Sequence, residues 1–217
     1  MEQQSAVSID VIALRYGRDE PTVSVGIAPR RWEPFPGQLA LPGVLLGRGE
    51  RLEAAARRAV HTKLGVPEAA IRAVGQLVTF DEPNRDPRGP TLSIAMWAVI
   101  GEHESDTAEW VTFERMPELA FDHNRIVDTA RGLFAEMLWK HLEFTRPLIG
   151  EEFPATRAVA LTAALEGTRP DPGNLNRTLA ALPGLTRTGE RIRVKATGRP
   201  AAIWAFDARQ PAALGSE

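Results

Sequence analysis

Hydrophobic residues recur along the chain with two spacings, which separate expected strands from expected helices. Apolar, β-rich runs that are typical of strands occupy residues 7–15, 22–29, 73–80, 91–101 and 108–116. Between them, residues 50–64 keep apolar side chains three and four positions apart, and Gly65 can end this helix in a left-handed conformation. Strands that enclose a helix favour an α/β sandwich.

A second, longer helix is predicted to follow the strands. Asp122 is a suitable N-cap, and helical spacing continues to about Leu142. Residues 144–150 then interrupt the pattern with Pro147 and Gly150. We therefore predict two domains, residues 1–144 and 145–217.

The second domain has a compact order of expected elements. Residues 155–166 and 173–182 are predicted helices, and residues 191–196 and 202–206 are predicted strands. Helix, turn, helix and β-hairpin is the order of a winged helix-turn-helix domain, whose second helix enters the DNA major groove.

Charge divides the chain in the same place. Residues 1–144 hold 16 Lys and Arg against 21 Asp and Glu, whereas residues 145–217 hold 10 against 7. A basic module attached to an acidic body suggests a polyanionic partner, although a solvated surface would give the same counts.

Composition sets further bounds. The chain has no cysteine, which excludes disulfides and thiolate metal sites and suits a cytoplasmic protein. No signal-like start and no run of about 18 apolar residues is present, so we expect neither export nor a membrane partner.

Residues 41–66 resemble the Nudix box, the motif of a diphosphate-cleaving site. Leu41-Pro42-Gly43 leads in, Glu50 holds the first acidic position, Arg58 the arginine, and Gly65-Val66 the close. The three later glutamates of the motif are replaced by Ala59, Thr62 and Lys63. Because Mg²⁺ needs several hard oxygen ligands, the resemblance implies a scaffold with no catalytic residue, no metal and no enzyme activity.

The whole chain resembles the Nudix-related transcriptional regulators, the NrtR family. Four segments carry the resemblance, at 34–44 (PFPGQLALPGV), 85–89 (RDPRG), 121–126 (FDHNRI) and 198–206 (GRPAAIWAF). It implies a Nudix-like α/β (α+β) sandwich with a C-terminal winged helix, no cofactor, and ADP-ribose or a related NAD-derived nucleotide as effector. It also implies a repressor of NAD-metabolism genes, with sugar-use genes and a phosphorylated-sugar effector as the alternative.

Effector contacts are expected from arginines that can bind phosphate without metal. Arg85 and Arg88, with Arg30 or Arg31, could make bidentate contacts to phosphate oxygens; alternatively, Asp86 pairs with one of them to shape the loop. Glu50 could recognise a ribose hydroxyl or stabilise the helix start. The candidate effector-binding residues are Arg30, Arg31, Glu50, Arg58, Arg85 and Arg88.

Other residues near these segments have two interpretations. Aromatic side chains could stack on adenine or belong to the core, and they are Trp32, Phe35, Phe80 and Trp97. His123, at a helix start, is expected to be structural.

DNA contacts are expected on the second helix of the C-terminal domain and on its hairpin. The family has Asn-aromatic-Arg-Arg-Lys where this chain has residues 174–178, NLNRT. Asn176 could pair with adenine and Arg177 with guanine or phosphate, while basic residues near the hairpin, Arg191 among them, would contact phosphates. The candidate DNA-binding residues are Asn174, Asn176, Arg177, Thr178, Arg193, Lys195 and Arg199.

The predicted assembly is a homodimer that binds double-stranded operator DNA and a small nucleotide effector. Two other classes stay open at this point. A working Nudix pyrophosphohydrolase would need carboxylates outside the box, such as Glu53, Asp81 or Glu82. A protein-interaction module would use the basic domain to bind an acidic partner.

Overall fold

The structure, a computed structural model, describes residues 5–17, 21–103, 107–192 and 200–207. Its contacts divide the chain into two compact units. The first comprises Met1–Arg15 and Ser24–Leu133, and the second comprises Tyr16–Val23 and Phe134–Glu217. The division after residue 144 that the sequence predicts stays a prediction.

The first unit is built on a mixed sheet. Its strands in the described ranges are β1 (Ala6–Tyr16), β2 (Val23–Pro29), β3 (Leu39–Ala40), β4 (Gly43–Leu45), β5 (Ile71–Phe80), β6 (Thr91–Ile100) and β7 (Glu109–Thr112). The order is β3-β2-β1-β6-β5, with β4 paired to β1 and β7 paired to β2. β1 and β6 run parallel, and β5 and β6 run antiparallel. The first four predicted strands are confirmed. The fifth, predicted over 108–116, is extended only over Glu109–Thr112, because Phe113–Arg115 form a 3-10 helix. The short β3 and β4 were not predicted.

The central strand β1 is buried along most of its length. Residues 9–14 are all buried, as expected of a strand covered on both faces. Alternation places Ile9, Val11 and Ala13 in one hydrophobic cluster with small side chains of the helix α1 (Leu52–Leu64). The same alternation turns Ser8 and Asp10 to the opposite face.

Helix α1 confirms the helix predicted from the Nudix-like segment. Its buried side chains are Ala55, Ala56, Ala59, Val60 and Leu64. Gly65 follows with φ 68°, and its N–H donates to the carbonyl of His61. This left-handed ending is the one expected of glycine after a helix.

The long helix predicted from Asp122 to about Leu142 is confirmed as far as Met137 and is wrong beyond it. α2 spans His123–Met137, and a separate helix, α3, spans Leu142–Ile149 across the predicted break. Between them Trp139 adopts φ 64°. Its indole N–H donates to Thr162 Oγ1 at 3.0 Å, and its backbone N–H donates to Thr145 Oγ1 at 3.2 Å. These nonlocal bonds override the helical spacing.

The second unit contains two further helices and a small sheet. Its elements after α3 are β8 (Glu152–Pro154), α4 (Ala155–Glu166), α5 (Pro172–Ala181), β9 (Leu185–Ile192) and β10 (Ala201–Phe206). The antiparallel sheet has the order β8-β10-β9. Both predicted helices and the last strand are confirmed, and β8 was missed. β9 begins at Leu185, earlier than the predicted start at 191, and residues 193–196 of that predicted strand lie outside the described residues.

Tyr16, at the end of β1, and Gly17 after it contact α4 within the second unit. The Tyr16 hydroxyl donates to the Arg157 carbonyl at 2.8 Å, and Arg157 Nη1 donates to the Gly17 carbonyl at 2.9 Å. The Arg157 guanidinium also lies 4.3 Å from the centre of the Tyr16 ring. Within the described ranges, no helix is both long enough and apolar enough to cross a membrane.

Candidate functional site

A cavity of about 830 Å³ lies in the first unit and is predominantly basic. Its wall includes the start of β1, the loop after β2, residues 40–45, the cavity-facing side of α1, the 85–88 loop and the segment before α2. Three acidic side chains line it, Asp10, Glu33 and Asp86, against six cationic ones. The cationic residues are Arg30, Arg31, Arg58, Lys63, Arg85 and Arg88. An excess of positive charge in a concave site favours an anionic ligand.

Asp10 forms a buried polar centre at the wall of the cavity. Its Oδ2 accepts hydrogen bonds from Ser8 Oγ at 2.9 Å and Ser93 Oγ at 2.5 Å. Gly43 lies directly against this carboxylate, and a Cβ at position 43 would collide with Asp10 Oδ1. The glycine of the Leu-Pro-Gly segment is therefore required by close packing against Asp10.

His123 is buried beside the same carboxylate. Its Nδ1 accepts a hydrogen bond from the Leu41 N–H at 3.0 Å, so the remaining proton of the neutral ring is on Nε2. That nitrogen lies 3.7 Å from Asp10 Oδ1. Burial lowers the pKa of His123, with Asp10 opposing that change. The predicted structural role agrees with this geometry.

Arg85 is enclosed by protein acceptors. Its Nε donates to Asp122 Oδ2 at 3.0 Å and its Nη2 donates to Asp122 Oδ1 at 2.7 Å. The side chain is 4% exposed, and Nη1 donates to Ser8 Oγ at 3.4 Å. Arg85 lines the cavity, but its bidentate face is directed at Asp122. Its predicted contact with an effector remains a prediction.

Arg88 makes the pair with Asp86 that the sequence offered as an alternative. Arg88 Nη2 lies 2.6 Å from Asp86 Oδ2, and the Arg88 backbone N–H donates to Asp86 Oδ1 at 2.9 Å. The Arg88 side chain is 53% exposed. These bonds hold the pKa of Asp86 below its usual value, chiefly through the Arg88 side chain. The pair shapes the loop and leaves part of the guanidinium accessible.

Glu50 and Arg58 pair across the start of α1. Arg58 Nε donates to Glu50 Oε1 at 2.8 Å, and Arg58 Nη2 donates to Oε2 at 2.7 Å. Glu50 Oε2 also accepts from the Gly47 N–H at 2.8 Å. The Arg58 bond, followed by the Gly47 bond, lowers the pKa of Glu50 to about 2. These bonds join the loop before α1 to Arg58 in the helix, and both roles expected for Glu50, ribose recognition and stabilising the helix start, remain predictions.

Arg30 is held by its own loop and by an aromatic ring. Its Nε donates to the Pro34 carbonyl at 2.7 Å, and its guanidinium lies 4.5 Å from the centre of the Phe121 ring. Phe35 meets Phe121 edge to face, with ring centres 5.1 Å apart. Both Phe35 and Phe121 have positive φ, at 62° and 59°. Tertiary packing thus holds two bulky residues in a conformation that local preference disfavours.

The aromatic candidates divide by burial. Phe80 and Trp97 belong to the core. Trp32 lines the cavity and is 74% exposed, so its ring is accessible to a ligand.

The three box positions without glutamate have different surroundings. Ala59 is fully buried in the hydrophobic cluster beneath α1, whereas Thr62 and Lys63 are exposed and line the cavity. Thr62 Oγ1 donates back to the Arg58 carbonyl at 2.7 Å. In the part of the chain that the structure describes, no three His, Cys, Asp or Glu side chains cluster as metal ligands.

In the second unit, α5 has one buried and one exposed face. Leu175 and Leu179 are buried, while Asn174, Arg177 and Thr178 are exposed. Asp171 caps the helix by accepting from the Asn174 N–H at 2.8 Å, a contact worth about 1 kcal/mol. The Arg177 guanidinium donates to Asn174 Oδ1. The exposed face of α5 therefore carries the Asn174 amide and the Arg177 guanidinium, which are hydrogen-bonded to each other.

Asn176 differs from its neighbours on α5. It is only partly exposed, and its Nδ2 donates to the Pro172 carbonyl at 2.7 Å. Its expected contact with adenine remains a prediction. β9 is exposed from Thr186 to Ile192, including Arg191. The candidates Arg193, Lys195 and Arg199 lie outside the described residues.

Sequence reasoning missed the polar centre around Asp10. The signal was a single carboxylate inside an otherwise apolar run, with Ser8 two positions earlier on the same strand face. A buried carboxylate needs partners, but the identity of those partners depends on strand pairing that the sequence alone does not reveal.

Several solved structures have a fold similar to that of this chain. The first unit has a mixed α/β Nudix-like fold, and no family model matches the chain. Shewanella oneidensis NrtR in complex with a 27mer DNA is similar over 93% of this chain and 93% of that chain, with TM-score 0.74 and 22% identity. The NUDIX domain of the same protein complexed with ADP ribose matches 60% of this chain and 88% of that chain, with TM-score 0.52 and 24% identity.

One protein related to this chain in sequence is named as an enzyme. The ADP-ribose pyrophosphatase of Methanocaldococcus jannaschii is 34% identical over 104 residues. The match covers 45% of this chain and 60% of that enzyme, so the chain spans less than two thirds of its relative.

Proposed function

We propose that this protein is an NrtR-like transcriptional regulator whose Nudix-like unit binds a nucleotide effector without hydrolysing it. The observation that carries the proposal is the cavity-facing side of α1, where Thr62 and Lys63 replace carboxylates. A pyrophosphate is hydrolysed at such sites when a divalent metal polarises it and activates water. A lysine supplies charge for binding but cannot hold that metal.

The proposed effector is ADP-ribose or a related NAD-derived nucleotide. The basic cavity suits a diphosphate, and exposed Trp32 on its wall suits a base. The Shewanella NUDIX domain complexed with ADP ribose supports the same choice through its fold. A phosphorylated sugar is the alternative anionic effector, and it would not use an aromatic base platform.

The proposed DNA reader is a winged helix formed by α4, α5 and the β9–β10 pair. α5 would be the recognition helix, since its exposed face carries Asn174, Arg177 and Thr178. Amide and guanidinium groups are those that read base edges in the major groove. The DNA complex of Shewanella NrtR supports this assignment at the level of fold. We further propose a homodimeric repressor of NAD-metabolism genes acting in the cytoplasm.

A direct test combines DNA binding with effector binding in the full chain. Duplexes from the promoters of NAD-metabolism genes are compared with shuffled duplexes at moderate salt, with and without ADP-ribose. We expect a sequence-dependent shift that ADP-ribose changes, in either direction, and that a phosphorylated sugar does not change. Absence of any sequence-dependent shift would contradict the regulator.

The second candidate is a Nudix pyrophosphohydrolase, which the identity to an ADP-ribose pyrophosphatase favours. It would need a metal site built from carboxylates other than those of the box. Incubation of the protein with ADP-ribose and Mg²⁺ or Mn²⁺, followed by measurement of AMP, separates the two. Sustained turnover would establish the hydrolase and overturn the non-catalytic proposal.

A further inference from the structure

The cations that line the cavity differ in whether a protein acceptor already holds them. Arg85 is bound to Asp122, Arg88 to Asp86 and Arg58 to Glu50, each through two or more hydrogen bonds. Arg30 donates to two carbonyls of its own loop and lies over Phe121. Each of these four guanidinium groups therefore has a structural role in the fold.

Lys63 and Arg31 are the exceptions. Both are exposed and line the cavity, and within residues 5–17, 21–103, 107–192 and 200–207 neither side chain makes a hydrogen bond or ion pair. An ammonium and a guanidinium without a carboxylate partner keep all their donors for a ligand. They also lie on different elements, Lys63 in the last turn of α1 and Arg31 in the loop after β2.

We propose that Lys63 and Arg31 bind the diphosphate of the effector, with Lys63 taking the place of the missing metal ion. This inference rests on the proposed function, because it assigns the residues that read the same ligand. Lys63 occupies a glutamate position of the box, on the cavity side of the helix. Its fixed positive charge attracts phosphate oxygens directly, so binding needs no divalent cation.

The chemical consequence is binding without activation of water. A metal ion both neutralises phosphate charge and lowers the pKa of a coordinated water molecule. A lysine ammonium provides neutralisation and hydrogen bonds only. A lysine at this glutamate position therefore prevents metal binding and keeps affinity for the diphosphate. Without the metal, no activated water molecule is available as the nucleophile.

Calorimetry on the full chain tests the assignment with two probes, ADP-ribose and inorganic pyrophosphate, each in EDTA and in Mg²⁺. We compare Lys63→Ala, Lys63→Glu and Arg31→Ala with Arg48→Ala as matched control. Arg48 is exposed and does not line the cavity, and its side chain makes no hydrogen bond or ion pair with the described residues. Urea unfolding of each variant verifies that the fold is intact.

We expect the wild-type protein to bind both probes in EDTA, so that binding does not require Mg²⁺. Lys63→Ala and Arg31→Ala should each lower the affinity for both probes by about tenfold to a hundredfold, since charge-assisted hydrogen bonds are lost. Lys63→Glu should lower the affinity for both probes further, and the Arg48→Ala variant should bind them with wild-type affinity.

The outcomes separate this inference from the proposed function. If ADP-ribose binds and the folded Lys63→Ala and Arg31→Ala variants retain wild-type affinity, the residue assignment fails while the effector proposal stands. If ADP-ribose does not bind but pyrophosphate binds through Lys63 and Arg31, the effector proposal fails and the diphosphate site stands. Binding that requires Mg²⁺, or no binding of either probe, overturns the inference.

Discussion

Buried Arg85 and partly buried Asp122 form a bidentate ion pair, with Nε–Oδ2 and Nη2–Oδ1 distances of 3.0 and 2.7 Å. The pair joins the 81–90 loop to the residue before α2. Asp10 Oδ2 lies 3.6 Å from the same guanidinium. One arginine thus links the loop, the start of the helix and the polar centre on β1.

We expect Arg85→Ala to lower the free energy of unfolding by about 3–5 kcal/mol, because it leaves the buried Asp10 carboxylate and the partly buried Asp122 carboxylate without their shared cation. Urea unfolding measures the loss. Arg125→Ala is the matched control: Arg125 pairs with Glu82 between the same loop and helix, but its side chain is 59% exposed. That change should cost less than about 1 kcal/mol. Equal losses in the two variants would contradict a structural role for Arg85.

Glu50 should titrate unusually in the folded protein. Its pKa is lowered to about 2, first by the Arg58 side chain and then by the Gly47 N–H. A depressed carboxylate pKa stabilises the fold above the ordinary pKa of glutamate, and this contribution disappears as pH falls toward 2. NMR titration of Glu50 in Arg58→Ala should show its pKa rising toward the ordinary value. An unchanged midpoint would show that Arg58 is not the main cause.

His123 should make the free energy of unfolding depend on pH at milder acidity than Glu50 does. Because burial lowers its pKa, the unfolded chain takes up a proton at this residue before the folded protein does. Stability from the neutral ring is complete above the ordinary pKa of about 6.5 and is lost as pH falls below it. NMR should therefore show that His123 takes up its proton at a lower pH in the folded protein than in urea, where histidines titrate near the ordinary value. A midpoint for folded His123 at or above its midpoint in urea would contradict a buried neutral ring that accepts from the Leu41 N–H.

Arg177→Ala should weaken operator binding. If Arg177 contacts a base, we expect a loss of about 1–3 kcal/mol and relaxed preference at one position; if it contacts phosphate, the loss should be uniform across sequences. Fluorescence anisotropy at several salt concentrations distinguishes these results. Lys140→Ala, an exposed cation of the same unit outside α5, should leave affinity nearly unchanged. Equal effects of the two variants would indicate a nonspecific charge contribution.

Restoring carboxylates should restore metal binding. Thr62 and Lys63 are exposed on the cavity side of α1, so glutamates there would not be buried. We expect the double variant Thr62→Glu/Lys63→Glu to bind Mn²⁺, followed by calorimetry, because hard oxygen ligands become adjacent in the cavity. The isosteric control Thr62→Gln/Lys63→Gln should not bind. Mn²⁺ binding by wild type with equal affinity would show a metal site elsewhere.

Local patterns predicted much of the fold because their causes are local. The spacing of apolar residues in 50–64 and the conformational freedom of Gly65 were enough for α1 and its ending. The helix from Asp122 was predicted too long because Trp139 leaves the helical conformation through bonds to Thr145 and Thr162. Those partners lie 6 and 23 residues away, beyond the range of helical periodicity.

By itself, the sequence determined that the box lacks carboxylates at 59, 62 and 63, since residue identity alone decides which groups can hold Mg²⁺. Tertiary structure decided which of the candidate cations have protein partners. Arg85 and Arg31 look equivalent in sequence, yet Arg85 is enclosed by Asp122 and Ser8 while Arg31 is exposed. An arginine's role depends on the acceptors that nonlocal packing brings within hydrogen-bond distance, and that information exists only in three dimensions.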